Sequence, residues 1–356
     1  MSPEVPDEAD GVSRCTEDDL GELRAFQAHM YEAGSRVLDH SRADWLFSRH
    51  PLRPDEGLTI WVCRRGGQIV GTEAGIPFDL TVEDGRCRGS WAVELMVDPE
   101  WRGSGIGPAL SEAHRRSCLV SAGLSVSHAA YRSLLRRRST DMGRVPMYLR
   151  LLDPRAILRW EGAPMLVRYL ALPLIAPALW LLGGVDRIRN ARTDLLSISA
   201  FDQRADVLWQ EVSVLYRAIS HRDAPWLRWR FDDCPHRSEY LRYYVLHRER
   251  LIGYLVLRWT TWSGRPVLAL VDYLAAPGDV ARLLSSSLRV ARALGATAVL
   301  CNTLNVQAEN AFRTSGFFQR RNQGIRFLAY TSDESLKPVI LNPSDWFITS
   351  ADSDLD

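Results

Sequence analysis

Between Trp91 and Leu110 the chain sets out, in order, a buried strand, a sharp turn, a glycine-rich loop and the start of a helix. Trp91 to Val97 is mostly apolar, aromatic or β-branched, the composition of a buried strand. Pro99 ends its ladder because it has no N–H to donate. Gly103, Gly105 and Gly107 follow; glycine reaches φ values closed to other residues and lets a ligand approach the backbone. Their N–H groups can converge at the N-terminus of the next helix, where the helix dipole also favours negative charge. Arg102 adds a fixed positive charge. This order builds an anion cradle on an α/β scaffold. Two competing cradles do not fit. A nucleotide-binding P-loop ends in Gly-Lys-Ser/Thr, and the single lysine, Lys337, lies far away. The dinucleotide fingerprint Gly-x-Gly-x-x-Gly does not match glycines at 103, 105 and 107.

The spacing Arg102-x-x-Gly105-x-Gly107, behind Val97-x-Pro99, resembles the acyl-CoA pyrophosphate loop of the GNAT superfamily of N-acyltransferases. The resemblance covers about residues 12–153, with its specific part at 93–110. It implies that Arg102, Gly103, Ser104, Gly105, Ile106 and Gly107 hold the pyrophosphate of acetyl-CoA, the expected co-substrate. It also implies that the central strand, Leu95, Met96 and Val97, runs along the pantetheine arm, with one N–H near the thioester oxygen. A fixed N–H in a dry site is the kind of group that dominates such catalysis. Glu94 is the candidate general base, because it is the sole carboxylate inside that strand and burial raises a carboxyl pKa into a base's working range. Strand alternation places it with Met96, opposite Leu95 and Val97. Glu73, on the neighbouring strand, is the second candidate, acting through water. The tyrosine that GNAT enzymes often place in the last helix has no clear counterpart: Phe312 occupies that position in the second half, and Tyr131 is a weak substitute in the first.

The pattern recurs. A strand pair at 241–260, a strand at 267–274, a helix at 279–294, a strand at 297–301 and the stretch Asn305–Phe317 resemble a second GNAT fold. Its central turn, Ala275-Ala-Pro-Gly-Asp-Val-Ala281, has one glycine and places Asp279 where phosphates would sit, so one cofactor site is expected, in the first half. The expected fold class is thus α/β, two tandem GNAT-like domains, each a mixed, mostly antiparallel sheet with helices on both faces. The expected organisation is a disordered tail at 1–14, a domain with the acyl-CoA loop at 15–155, an apolar segment at 156–194, a degenerate domain at 195–335 and a tail at 336–356, disordered at its end.

Composition narrows the partners. Net charge is +1, so no global field draws the chain to nucleic acid. The six cysteines contain no Cys-x-x-Cys pair and the histidines lack ligand spacing, the pattern of a reduced, cytoplasmic protein with no metal site. The acidic N-terminus is not a signal peptide. Residues 169–185 carry no charge but contain Pro173 and Pro177, which should break a spanning helix. The segment 165–185 reads either as an interdomain hairpin or as a peripheral contact at the inner membrane face. Trp226, Trp229, Tyr243, Tyr244, Trp259 and Trp262 suit either a core or stacking on a sugar. The expected activity is acyl transfer to a primary amine of a small-molecule or amino-sugar acceptor. A Fem-type aminoacyl transferase and a non-catalytic acyl-CoA-binding scaffold of envelope assembly are the alternatives.

Overall fold

The computed structural model describes residues 11–55, 57–83, 85–153, 165–262 and 264–354. Most of the tail at 1–14, the start of the apolar segment at 156–194, and the last two residues lie outside them. The chain divides into two compact units that interleave in sequence. One holds the residues up to Gly143 with Asp233–Pro235 and Arg326–Asn342; the other holds Arg144–Asp232, His236–Ile325 and Pro343–Asp356.

The first unit begins with strand β1 (Gly11–Arg14), helix α1 (Leu20–Met30) and the short α2 (His40–Ala43). Helix α1 stops at Met30, because Tyr31 is extended and Gly34 has a φ of 88°. Strands β2 (Ile60–Arg65), β3 (Gln68–Val82) and β4 (Gly85–Val97) form an antiparallel meander, and Gly66 and Gly67, both at positive φ, make its first turn. Pro77 does not interrupt β3. Helix α3 (Ile106–Arg116), strand β5 (Val120–Leu124) and helix α4 (His128–Arg136) follow. Trp61, Cys63, Val70, Ile106 and Leu110 form a buried cluster under α3, against which Leu95 and Val97 pack.

The second unit takes most of β6 (Thr140–Leu151), then α5 (Met165–Arg189), β7 (Thr193–Ser197), α6 (Gln203–Val212), β8 (Ala218–Ser220), α7 (Ala224–Leu227), β9 (Tyr240–His247), β10 (Arg250–Trp262), β11 (Arg265–Ala275), α8 (Val280–Ala293), β12 (Ala298–Leu304) and α9 (Glu309–Thr314). Its strands run in the order β6-β12-β11-β10-β9-β7, with β11 and β12 parallel and the other pairs antiparallel. Strand β13 (Phe318–Thr331) begins in this unit, and its end, Phe327–Thr331, pairs with β5 in the first. The chain closes with α10 (Lys337–Ile340) and β14 (Trp346–Thr349).

Two expectations are corrected, and one open alternative is decided. Pro173 and Pro177 lie inside α5 rather than ending it. They are four residues apart and both exposed, so the bonds they delete fall on one outward face. The chain is ordered as far as it is described, to Asp354: Trp346, Ile348 and Asp352 are buried, and the Asp352 carboxylate accepts from Arg222 Nη2 at 2.6 Å and from the Thr349 N–H at 2.9 Å. Trp226, Trp229 and Tyr244 are core residues, packed with Phe201, Phe231 and Tyr240, and only Trp259 of the six aromatics is largely exposed.

Candidate active site

The loop takes the conformation that its glycines require. Asp98 caps a single 3₁₀ turn over Pro99–Trp101 by accepting from the Glu100 N–H at 2.9 Å. Gly103 and Gly105 then lie at φ of 88° and 93°, values that cost an ordinary residue about 1–2 kcal/mol. Gly105 is the N-cap of α3. Gly107 has no such φ, and a Cβ there would make only an ordinary contact with Val97. The N–H groups of Gly103, Gly105, Ile106 and Gly107 meet no acceptor among the described residues, as the free donors of a helix start do. No atom stands within 4 Å of where a Cβ on Gly103 or Gly105 would be, so the donors open onto free space. Arg102 is exposed beside them, its Nε donating to the Val97 carbonyl at 3.1 Å. Ser104 turns inward to the loop instead, its Oγ donating to the Trp101 carbonyl at 2.6 Å.

Next to this loop the sheet parts. β4 and β5 pair in parallel only at Gly89–Val120, Ser90–Ser121 and Trp91–Ala122. Beyond that point β4 continues to Val97 alone on this edge, while β5 pairs with β13 through Leu124 and Phe327. A bulge lies in the parted section of β4: Thr72 faces Met96 and Ala74 faces Val93, so Glu73 opposes both Glu94 and Leu95. Glu94, at φ 55°, is the residue that takes the strain. It leaves Leu95 and Val97 directed into the cluster under α3.

The two carboxylates differ in their surroundings. Glu94 Oε1 accepts from Arg42 Nη1 at 2.7 Å, and the two side chains are only 7% and 6% exposed. This is a buried ion pair between the bulge and α2. Glu73 lies on the other side of the sheet, under α3, and is also buried. Burial pushes its pKa up to about 7, although a hydrogen bond from Ser111 and the nearby charges of Arg115 and Arg137 act in the opposite direction. Glu73 Oε2 has no hydrogen-bond partner among the described residues. A cavity of about 10 Å³ adjoins it, close to the least that holds one water, lined by Ala92, Ala122 and Gly123 at the parting of β4 and β5.

The rest of this pocket is a polar layer under α3. His114 is fully buried and neutral, its pKa pushed down to about 3 by burial and the adjacent Arg115. Its Nε2 pairs with Ser90 Oγ at 2.9 Å and its Nδ1 with Ser121 Oγ at 3.4 Å. Arg115 donates to the Arg137 carbonyl at 2.7 Å and to Ser139 Oγ at 2.5 Å, and lies 4.4 Å from the Tyr330 ring. Sequence reasoning missed Ser111, His114 and Arg115. Their signal was present: Ser111 and His114, three apart, share the face of α3 that Ile106 and Leu110 bury. It also missed Arg42, which is 52 residues from Glu94 and has no local signature.

Neither aromatic candidate for a proton donor stands in this pocket. The Tyr131 hydroxyl is solvent-facing and donates to Asp141 at 2.6 Å, with Arg326 over its ring. Phe312 is a core residue stacked on Tyr148 at 4.5 Å. In the second unit Asp279 stands at the start of α8 and pairs with Arg282 at 2.9 Å. Among the described residues no three His, Cys, Asp or Glu side chains group as metal ligands.

Residues 56–149 match the acetyltransferase (GNAT) domain. No curated protein sequence matches the chain. Among solved structures, a GCN5-related N-acetyltransferase from Anabaena variabilis is similar at a TM-score of 0.60 and 12% identity, over 93% of this chain and 74% of that one. One from Kribbella flavida is similar at 0.55 and 16% identity, over 92% and 73%. N-myristoyltransferase from Saccharomyces cerevisiae with bound myristoyl-CoA is similar at 0.52 and 12% identity, over 92% and 80%. The fold is therefore α/β and GNAT-like, with mixed sheets, and the chain carries a GNAT acetyltransferase domain at 56–149, which supports a GNAT-type N-acyltransferase.

Proposed function

We propose that this chain transfers an acyl group, acetyl in the first instance, from coenzyme A to the primary amine of a small or saccharide acceptor. We also read the second unit as a degenerate GNAT-like partner with no cofactor loop. The observation that carries the proposal is the row of unpaired amides at the start of α3, opening beside the parted section of β4. The residues fit the co-substrate: Gly103, Gly105, Ile106 and Gly107 offer donors, Arg102 offers charge, and nothing fills the space in front of them. Bound acyl-CoA supplies an activated thioester, whose acyl carbon joins the amine as its thiolate leaves. The protein's own part is to hold the thioester along Leu95, Met96 and Val97 and to remove one proton from the amine.

For the proton we favour Glu73 over Glu94. An acceptor works best with a pKa near the operating pH, and Glu73 has that, together with a free oxygen and room for one water. Glu94 is held by Arg42 and secures the bulge instead. The test is calorimetric titration with acetyl-CoA, then amine-dependent release of coenzyme A, with longer acyl-CoAs run alongside. Gly105→Glu places a carboxylate beside the row of donors, and its Cβ meets no atom within 4 Å beyond its chain neighbours, so binding should vanish while the fold persists. Absence of binding to the parent chain at millimolar acetyl-CoA would refute the proposal. Binding without release under any amine would favour a scaffold that only holds acyl-CoA.

A further inference from the structure

Helix α5 is built the wrong way round for a helix that faces water. Its acid points inward: Asp186 is 1% exposed and accepts from Arg292 Nη2 at 2.6 Å and Ser285 Oγ at 3.4 Å. Several of its apolar residues point outward. Leu166 is 71% exposed, Trp180 71%, Leu181 62% and Ile188 77%. With the exposed Pro173 and Pro177 they follow steps of three, four and seven residues, so they form one stripe along the helix. A stripe of this size on a protein surface marks a contact. Beside it, within the same unit, α5 and α8 enclose a groove of about 360 Å³ lined by Gly183, Arg187, Asn190, Arg289 and Arg292. Arg187 makes no ion pair or hydrogen bond with the described residues, and Arg289 gives one N–H to the Thr193 carbonyl at 3.0 Å. The groove is therefore rich in unused cationic donors, directly at the rim of an apolar stripe.

We propose that α5 lies on an anionic phospholipid surface, with its stripe among the headgroups and acyl ends and a lipid phosphate in the arginine groove. The chemistry selects this occupant. Exposed Trp and Leu with arginines at the edge are what a helix lying in the interface carries. No helix among the described residues is long and apolar enough to cross a membrane. The prolines argue for the same depth, because the carbonyls of Tyr169 and Pro173 lose their helical donors and need polar partners that hydrocarbon lacks. A second copy of the chain fits less well, since the same face on both partners would bring Arg187 and Arg289 against like charge.

The test is flotation of the full chain with vesicles of phosphatidylcholine alone or mixed with phosphatidylglycerol. The chain should float with the mixed vesicles only, and less as salt rises. Trp180→Glu with Ile188→Glu should abolish flotation at unchanged thermal stability, because both side chains are already in solvent. Arg187→Gln should weaken it roughly fivefold, the effect of one arginine at such a surface. Equal flotation with neutral vesicles would remove the groove from the proposal and overturn it. Absence of flotation, with a dimer in sedimentation that the double variant dissolves, would assign the stripe to a second copy. The acyl-CoA titration of the double variant is the control: it should match the parent whichever way the flotation falls.

Discussion

Replacing Glu73 by glutamine should make the protein more stable in mild alkali and less active, an opposition that a merely structural residue does not produce. The carboxyl has its pKa raised from 4.5 to about 7 in the folded chain. The folded state therefore holds this proton more tightly than the unfolded state. The stability from holding it is complete below pH 4.5 and is lost as the pH rises through about 7. The interval between those two values corresponds to about 3 kcal/mol. Glutamine has nearly the same shape, stays neutral, and keeps an oxygen for the Ser111 hydroxyl. Glu73→Gln should match the parent near pH 4.5 and exceed it by up to about 3 kcal/mol at higher pH, a midpoint gain of roughly 6–12 °C for a domain of this size. Denaturation curves at a series of pH values measure the difference directly, since the other acids cancel between the two proteins. Turnover should fall by about 10²–10⁴ if Glu73 takes the proton, with acetyl-CoA affinity unchanged. Parallel stability curves for parent and variant across this range would refute the reasoning, because Glu73 would then be no buried acid.

Other outcomes follow from the same packing. Arg42→Ala removes the buried cation that Glu94 meets at 2.7 Å and should cost about 3–5 kcal/mol in urea denaturation, whereas replacing Arg42 and Glu94 together by methionine should recover most of that loss. Asp352→Ala removes one of two carboxylates from the fully buried Arg222 and leaves the Thr349 N–H without its acceptor; a loss of about 3–5 kcal/mol is expected, and an unchanged midpoint would show that the end of the chain is dispensable. Gly105→Ala should cost about 1–2 kcal/mol through its φ of 93° alone, separable by calorimetry from the loss of acetyl-CoA binding that a side chain in front of the donors produces.

The loop and the helix it starts were legible in the sequence because their requirements are local. Gly103 and Gly105 need a φ that other residues resist, Pro99 denies a ladder bond, and α3 follows from apolar positions at 106 and 110. The turn at Gly66 and Gly67, both at positive φ, has the same local origin. The surroundings of the two buried acids were not. Both Glu73 and Glu94 sit in apolar strands, and what separates them is a partner 52 residues from one and a hydroxyl on α3 above the other. Strand spacing states which face a carboxylate takes but not which charge meets it. The same holds for the end of the chain, whose acidic composition suggested disorder until Arg222 supplied the counter-charge that makes Asp352 worth burying. Local stereochemistry, written residue by residue, determined the cradle; tertiary packing alone decided where each buried charge is neutralised, because electrostatic pairing depends on distance in space and sequence separation does not encode it.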